Sequence, residues 1–154
     1  MTYLLLKWTH IVSSTLLFGT GIGSAYYMLM ASLSRDVRAI AVVVRLVVLA
    51  DWIFTTTAII VQPVTGLWLA SLAGWPWTTP WIAASIALYM VAGACWLPVV
   101  WLQLRMRDMA CTAAQAGEPL PPEYGRYLRY WVLLGIPAFA ALVVVFFLMV
   151  AKPT

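Results

Sequence analysis

Four stretches of the chain, residues 3–31, 39–72, 81–104 and 130–151, are each apolar over about 20 residues or more, the length at which a helix crosses a hydrocarbon core of about 30 Å. No other feature limits the fold as strongly. Composition closes off the alternative: 64% of the 154 residues are hydrophobic and 9% charged, against about half and a quarter in an ordinary soluble domain. A soluble domain of this size leaves roughly a third of its unfolded surface in water, so lipid must solvate the rest. The sequence therefore reads as all-α: an integral membrane four-helix bundle, up-down, forming one four-span domain over residues 1–154, with the lipid bilayer as its first partner.

The second stretch exceeds what a span needs. Its hydrocarbon part starts near Leu46, with Arg45 snorkelling to the head groups. The N-terminal apolar run is longer than a signal-peptide core of roughly 7–15 residues, so it is expected to remain as the first span. Orientation follows from basic flanks, which stay cytoplasmic. Arg35 and Arg38 lie in the first connection and Arg105, Arg107, Arg126 and Arg129 in the third, while the second has none. Both termini are thus expected outside. Trp8, Trp68, Trp75, Trp77 and Trp81 then fall at the outer interface, where amphipathic rings settle. The third connection, residues 105–129, is the only one with room for a small helix, and Pro119, Pro121 and Pro122 interrupt it.

The balance of nine Lys and Arg against five Asp and Glu is an orientation signal spread over loops. No basic run suggests nucleic acid. Cys95 and Cys111 form no CxxC pattern and are read as two unpaired thiols. No GxSxG, HExxH, Walker or dinucleotide motif is present.

Polar side chains inside spans are costly unless they face a partner or a cavity, so function is sought there. In the first span His10, Ser14, Leu17, Gly21, Ser24 and Met28 recur at helical spacing on one face. In the second, Asp51, Thr55, Ala58, Gln62 and Thr65 do the same. Short connections favour turning both seams toward a common interior. By helix rise His10 and Gln62 sit at similar heights in the outer leaflet. Asp51 lies deeper, with a carboxyl that needs a partner on another helix, a Ser or Thr hydroxyl, or water. Gly19 and Gly23 form a GxxxG that lets another backbone approach. The same glycines, Gly21 among them, leave room for a flat cofactor. Pro63, Pro98 and Pro137 each free a carbonyl one turn earlier and kink their helices.

The segments Leu6-Lys7-Trp8-Thr9-His10-Ile11, Leu17-Phe18-Gly19-Thr20-Gly21, Ala50-Asp51-Trp52-Ile53-Phe54-Thr55-Thr56, Gln62-Pro63-Val64-Thr65-Gly66 and Leu148-Met149-Val150-Ala151-Lys152-Pro153 together resemble the bacterial predicted integral membrane proteins grouped as domain of unknown function 2269, over essentially the whole chain. That resemblance implies the bacterial inner (cytoplasmic) membrane. The opening segment also looks like the first helix of wider four-helix membrane families: protoporphyrinogen oxidases of HemJ type, copper-resistance proteins of CopD type and the membrane domain of some urate oxidases. Members of that wider group bind b-type haem through histidine, which implies His10 as the haem-ligand position and metal ligand here. The chain departs from them in having one histidine. Bis-histidine ligation within one chain is excluded, leaving five-coordinate iron, a methionine (Met28, Met30, Met90 or Met149) or other sixth ligand, or a site shared between chains.

Three functional classes follow. The first is a haem b protein for electron transfer or redox chemistry at the outer leaflet, its candidate site comprising His10, Gln62, Thr65, Gly21 and Asp51. In it Gln62 or Thr65 lies next to the ligating ring, and the imidazole's second nitrogen is held by the Gln62 amide oxygen or by a carbonyl freed at Pro63. The second is a non-catalytic membrane subunit or scaffold that binds a second copy or another membrane protein through Gly19 and Gly23. The third is a small oligomeric proton-linked transporter using Asp51.

Overall fold

The computed structural model describes residues 1–153, which form helices and short connections with no strand among them. Helix α1 spans Thr2–Ser34, α2 Val37–Ala50, α3 Thr56–Leu72, α4 Pro80–Ala116 and α5 Pro122–Ala151. Between α2 and α3 a single π turn, Asp51–Thr55, carries the chain on without a break, its flanking residues Ala50 and Thr56 keeping helical dihedrals. Residues 37–72 are therefore one rod, and the molecule is four rods. Helices α1, α4 and α5 are each long and apolar enough to cross a membrane, whereas the two α pieces of the second rod are shorter, at 14 and 17 residues.

Local chemistry sets the ends. Ser34 to Val37 turns through Arg35 in the left-handed region (φ 60), and the Asp36 carboxylate caps α2 by accepting from the backbone N–H groups of Arg38 and Ala39. Helix α4 runs well past the expected end of its span. Nothing between Arg105 and Ala116 breaks a helix, and Gly117 stops it with φ 69, a conformation that suits glycine. Pro122 then occupies the first turn of α5, where a missing N–H costs nothing. The third connection is thus not a long loop: the three prolines that were expected to break a helix lie at the edge of a tight turn. At 37 residues α4 is about 55 Å long, so about 25 Å of it outruns the hydrocarbon core.

That extension holds the core. Met28 of α1, Ile40 and Val44 of α2 and Met106 of α4 are fully buried, and Trp131 and Tyr124 of α5 pack on them. Met106, Ala110 and Ala113 recur at helical spacing inside, while the neighbouring Arg105 and Asp108 face out. The Ser32 and Tyr124 hydroxyls meet at 2.9 Å and tie α1 to α5 at the same end. Among the described residues the opposite half of the bundle has no comparable apolar cluster. There Phe18 of α1 stacks on Phe139 and meets Phe146 edge-on, and polar contacts join the remaining helices.

Candidate functional site

Those polar contacts centre on His10. The imidazole Nδ1 lies 2.8 Å from Thr65 Oγ1 across the α1–α3 boundary. The Thr65 hydroxyl has one proton, and the nearest acceptor for it is the Val61 carbonyl one turn back, at 2.7 Å. A hydroxyl donating to Nδ1 would leave the imidazole proton on Nε2; when it donates to Val61 instead, its oxygen accepts from Nδ1–H. Nε2 then carries the lone pair, and it makes no hydrogen bond among the described residues.

Gln62 pins the backbone beneath the ring. Its amide nitrogen donates to the His10 carbonyl at 2.8 Å and to Ser13 Oγ at 2.7 Å, so His10 faces Thr65 and Ser13 faces Gln62 along two helices running in opposite directions at this level. The expectation that the Gln62 amide oxygen or a carbonyl freed at Pro63 holds the imidazole is corrected here. Thr65 holds the ring, and Gln62 holds the main chain that carries it. The carbonyl that Pro63 leaves without an N–H is that of Ile59, and it is satisfied from α4: the Tyr89 hydroxyl donates to it at 2.8 Å.

The ring has room because residue 66 is glycine. A Cβ on Gly66 would stand 3.0 Å from His10 Cε1, 3.7 Å from Nδ1 and 3.8 Å from Nε2, so the Cε1 edge of the imidazole points at the α3 backbone. Gly66, Ser13 and Tyr89 escaped the sequence reading as site residues. Ser14, which that reading placed on the polar face, satisfies itself against the Ile11 carbonyl of its own helix, and it is Ser13 that is buried.

Asp51 and Gly21 are not part of this group. Asp51 is 11 residues from Gln62, about 16 Å along the rod. It is buried, with the Thr55 hydroxyl donating to its Oδ1 at 2.8 Å. The Thr56 hydroxyl donates to its carbonyl at 2.9 Å, supplementing the backbone bond that the π turn makes to the same oxygen. Of the partners anticipated, on another helix, from Ser or Thr, or water, a threonine of its own rod supplies one, and the Gln103 side chain of α4 lies against the same carboxyl. Gly21, equally far from His10 on α1, falls by the same rise at the level of Asp51. Of the methionines, Met28 fills the apolar core at the far end, and Met30 and Met90 are exposed at 41% and 67%; none of these three is placed to meet the His10 imidazole. Met149 alone stays half-buried in the apolar part of α5. Gly19 is exposed and Gly23 half-buried, with open space where a Cβ would be at each, so the GxxxG does no packing within the chain. The described residues contain no cluster of three or more His, Cys, Asp or Glu side chains.

A bundle of apolar membrane-length helices with its polar groups turned inward defines an integral membrane protein. The chain belongs to the family described as predicted integral membrane protein (DUF2269), whose model matches residues 4–153. Neither the curated proteins nor the solved structures contain a match to it.

Proposed function

We propose that this protein binds haem b in the outer-leaflet half of the bacterial cytoplasmic membrane and serves electron transfer or redox chemistry there, in an up-down bundle with both termini outside. The observation that carries this reading is the 2.8 Å contact between His10 Nδ1 and Thr65 Oγ1, with Nε2 making no hydrogen bond among the described residues. An imidazole with its Nδ1–H held by a neighbouring oxygen and its Nε2 lone pair unshared is the form in which histidine ligates a metal. The donor set fits a haem with one protein-supplied imidazole, and it fits no multidentate metal site. His10 Nε2 would hold the haem iron, Thr65 would fix the ring through Nδ1, and Gln62 with Ser13 would fix the backbone that carries it. Gly66 leaves space for the ring beside α3. Haem supplies one-electron chemistry when bound, and the protein tunes it through ligand identity, hydrogen bonding and burial. The basic residues of the first and third connections support the orientation.

The test is an absorbance spectrum of the purified protein, with and without added haem. A Soret band in the wild type that disappears in His10→Ala, while the variant still purifies as a folded helical protein, is the expected result. No Soret band under either condition removes the reading. A second reading, a membrane subunit that pairs through Gly19 and Gly23, is favoured by the open face those glycines present. Crosslinking in native membranes that is lost in Gly19→Leu would support it.

A further inference from the structure

In the other half of the bundle a small cleft of about 20 Å³, partly open beside the exposed Trp52, lies between the second rod and α4, lined by Asp51, Thr56, Trp96 and Gln103 together with apolar side chains. Asp51 and Gln103 are each more than nine-tenths buried. The indole N–H of Trp96 is buried and has no hydrogen-bond partner among the described residues. A carboxyl, a primary amide and an unsatisfied N–H around one space make a polar site inside an apolar membrane protein, and buried polar groups of this kind are normally satisfied. The volume exceeds the roughly 10–15 Å³ that one water requires, and the wall offers the two to four polar partners a buried water takes. The π turn at Asp51–Thr55 belongs to the same site. It shifts the helix register by one residue where Asp51 turns inward, and such turns recur at functional positions.

We propose that this cavity is an internal water site through which the Asp51 carboxyl exchanges a proton with bulk water. The Thr55 hydroxyl occupies Oδ1, so the proton is taken up and released at Oδ2. The bound water accepts it from the carboxyl, or delivers it, and itself bonds the Gln103 amide and the Trp96 N–H. No acid or base competes for it nearby. Gln103 and Trp96 are the cavity-lining groups of α4 that can hydrogen-bond, α1 brings Gly21 and Ser24 to this level, and Arg45 on the same rod is exposed. The nearest base on α4, Arg105, is exposed, and the nearest acid, Asp108, pairs with Arg107 at the exposed end. The site stands apart from His10 and does not depend on haem.

Infrared difference spectroscopy of the reconstituted wild-type protein between acidic and alkaline buffer reads this directly. A protonated-carboxyl C=O band that appears at the acidic end, shifts within minutes in D₂O, and moves on ¹³C-labelling of aspartate but not of glutamate is expected. Asp51→Asn should remove that band. Gln103→Leu and Trp96→Phe, which keep the carboxyl, should shift its frequency by weakening the hydrogen bonds around it. Asp36 and Asp108 lie exposed at the polar ends, so they give no buried-carboxyl signal to confuse with it. Should Asp51→Asn fail to fold, the isotope shift and the two α4 variants decide the matter alone. The absence of a titrating aspartate band, a band that resists D₂O, or one indifferent to both α4 substitutions would overturn the proposal.

Discussion

The imidazole of His10 fills the space beside Gly66 that a side chain would need, its Cε1 lying 3.0 Å from where a Cβ would stand. Gly66→Ala therefore pushes the ring off α3 and stretches its bond to Thr65. The overpacking costs about 1–3 kcal/mol, offset in part by the gain of up to about 1 kcal/mol for alanine over glycine in a helix. The expected outcome is a net loss near 1 kcal/mol in thermal unfolding, accompanied by weaker haem retention. A larger loss of haem than of stability would locate the effect at the ring.

Thr65→Val keeps the volume of residue 65 and deletes the oxygen that holds Nδ1. An orienting partner of a ligating histidine is worth about 10–100-fold in metal affinity. Haem titration of the variant should show a loss in that range, with Thr65→Ser restoring most of it because the hydroxyl returns.

Tyr89 and Pro63 should behave as a coupled pair. In the wild type Tyr89→Phe leaves the Ile59 carbonyl unsatisfied, at an expected cost of about 1–2 kcal/mol. In a Pro63→Ala background residue 63 regains its N–H and can bond that carbonyl along the helix, so the same Tyr89→Phe change should cost much less. A double-mutant cycle on unfolding free energy measures the difference. Equal costs in the two backgrounds would mean that the tyrosine does not serve the proline's carbonyl.

The topology is tested with a reporter joined to the C-terminus. A fusion active only when exported is expected, and one active only in the cytoplasm would place His10 in the inner leaflet instead.

The second polar seam was legible because its residues obey one spacing. Asp51, Thr55, Ala58, Gln62 and Thr65 are all buried, as the four-three repeat requires of a helix with one inward face. The first seam was read one residue away from the truth at Ser13 and Ser14. Both serines bond carbonyls of their own helix, so polarity alone does not reveal which of them turns inward. The π turn left no sign in composition, because it differs from an α turn only in which carbonyl each N–H reaches. Tyr89, Trp96 and Gln103 recur at intervals of seven on one face of α4, a repeat the sequence reading did not take up, and their neighbours across the helix boundary give them meaning. The helical third connection was misjudged for a different reason: three prolines suggested a broken segment, but a proline in a helix's first turn marks a beginning.

The central claim is that His10 Nε2 is the protein's sole imidazole ligand to haem, and His10→Gly tests it most directly. Glycine leaves a hole of imidazole's shape between α1 and α3, so free imidazole added to the variant can take the ligand's place without the side chain. Haem absorbance is measured for wild type and variant, each with and without imidazole. The account predicts a Soret band in the wild type, none in His10→Gly alone, and recovery of a histidine-like spectrum on addition of imidazole. A haem spectrum that persists unchanged in His10→Gly without imidazole would contradict it.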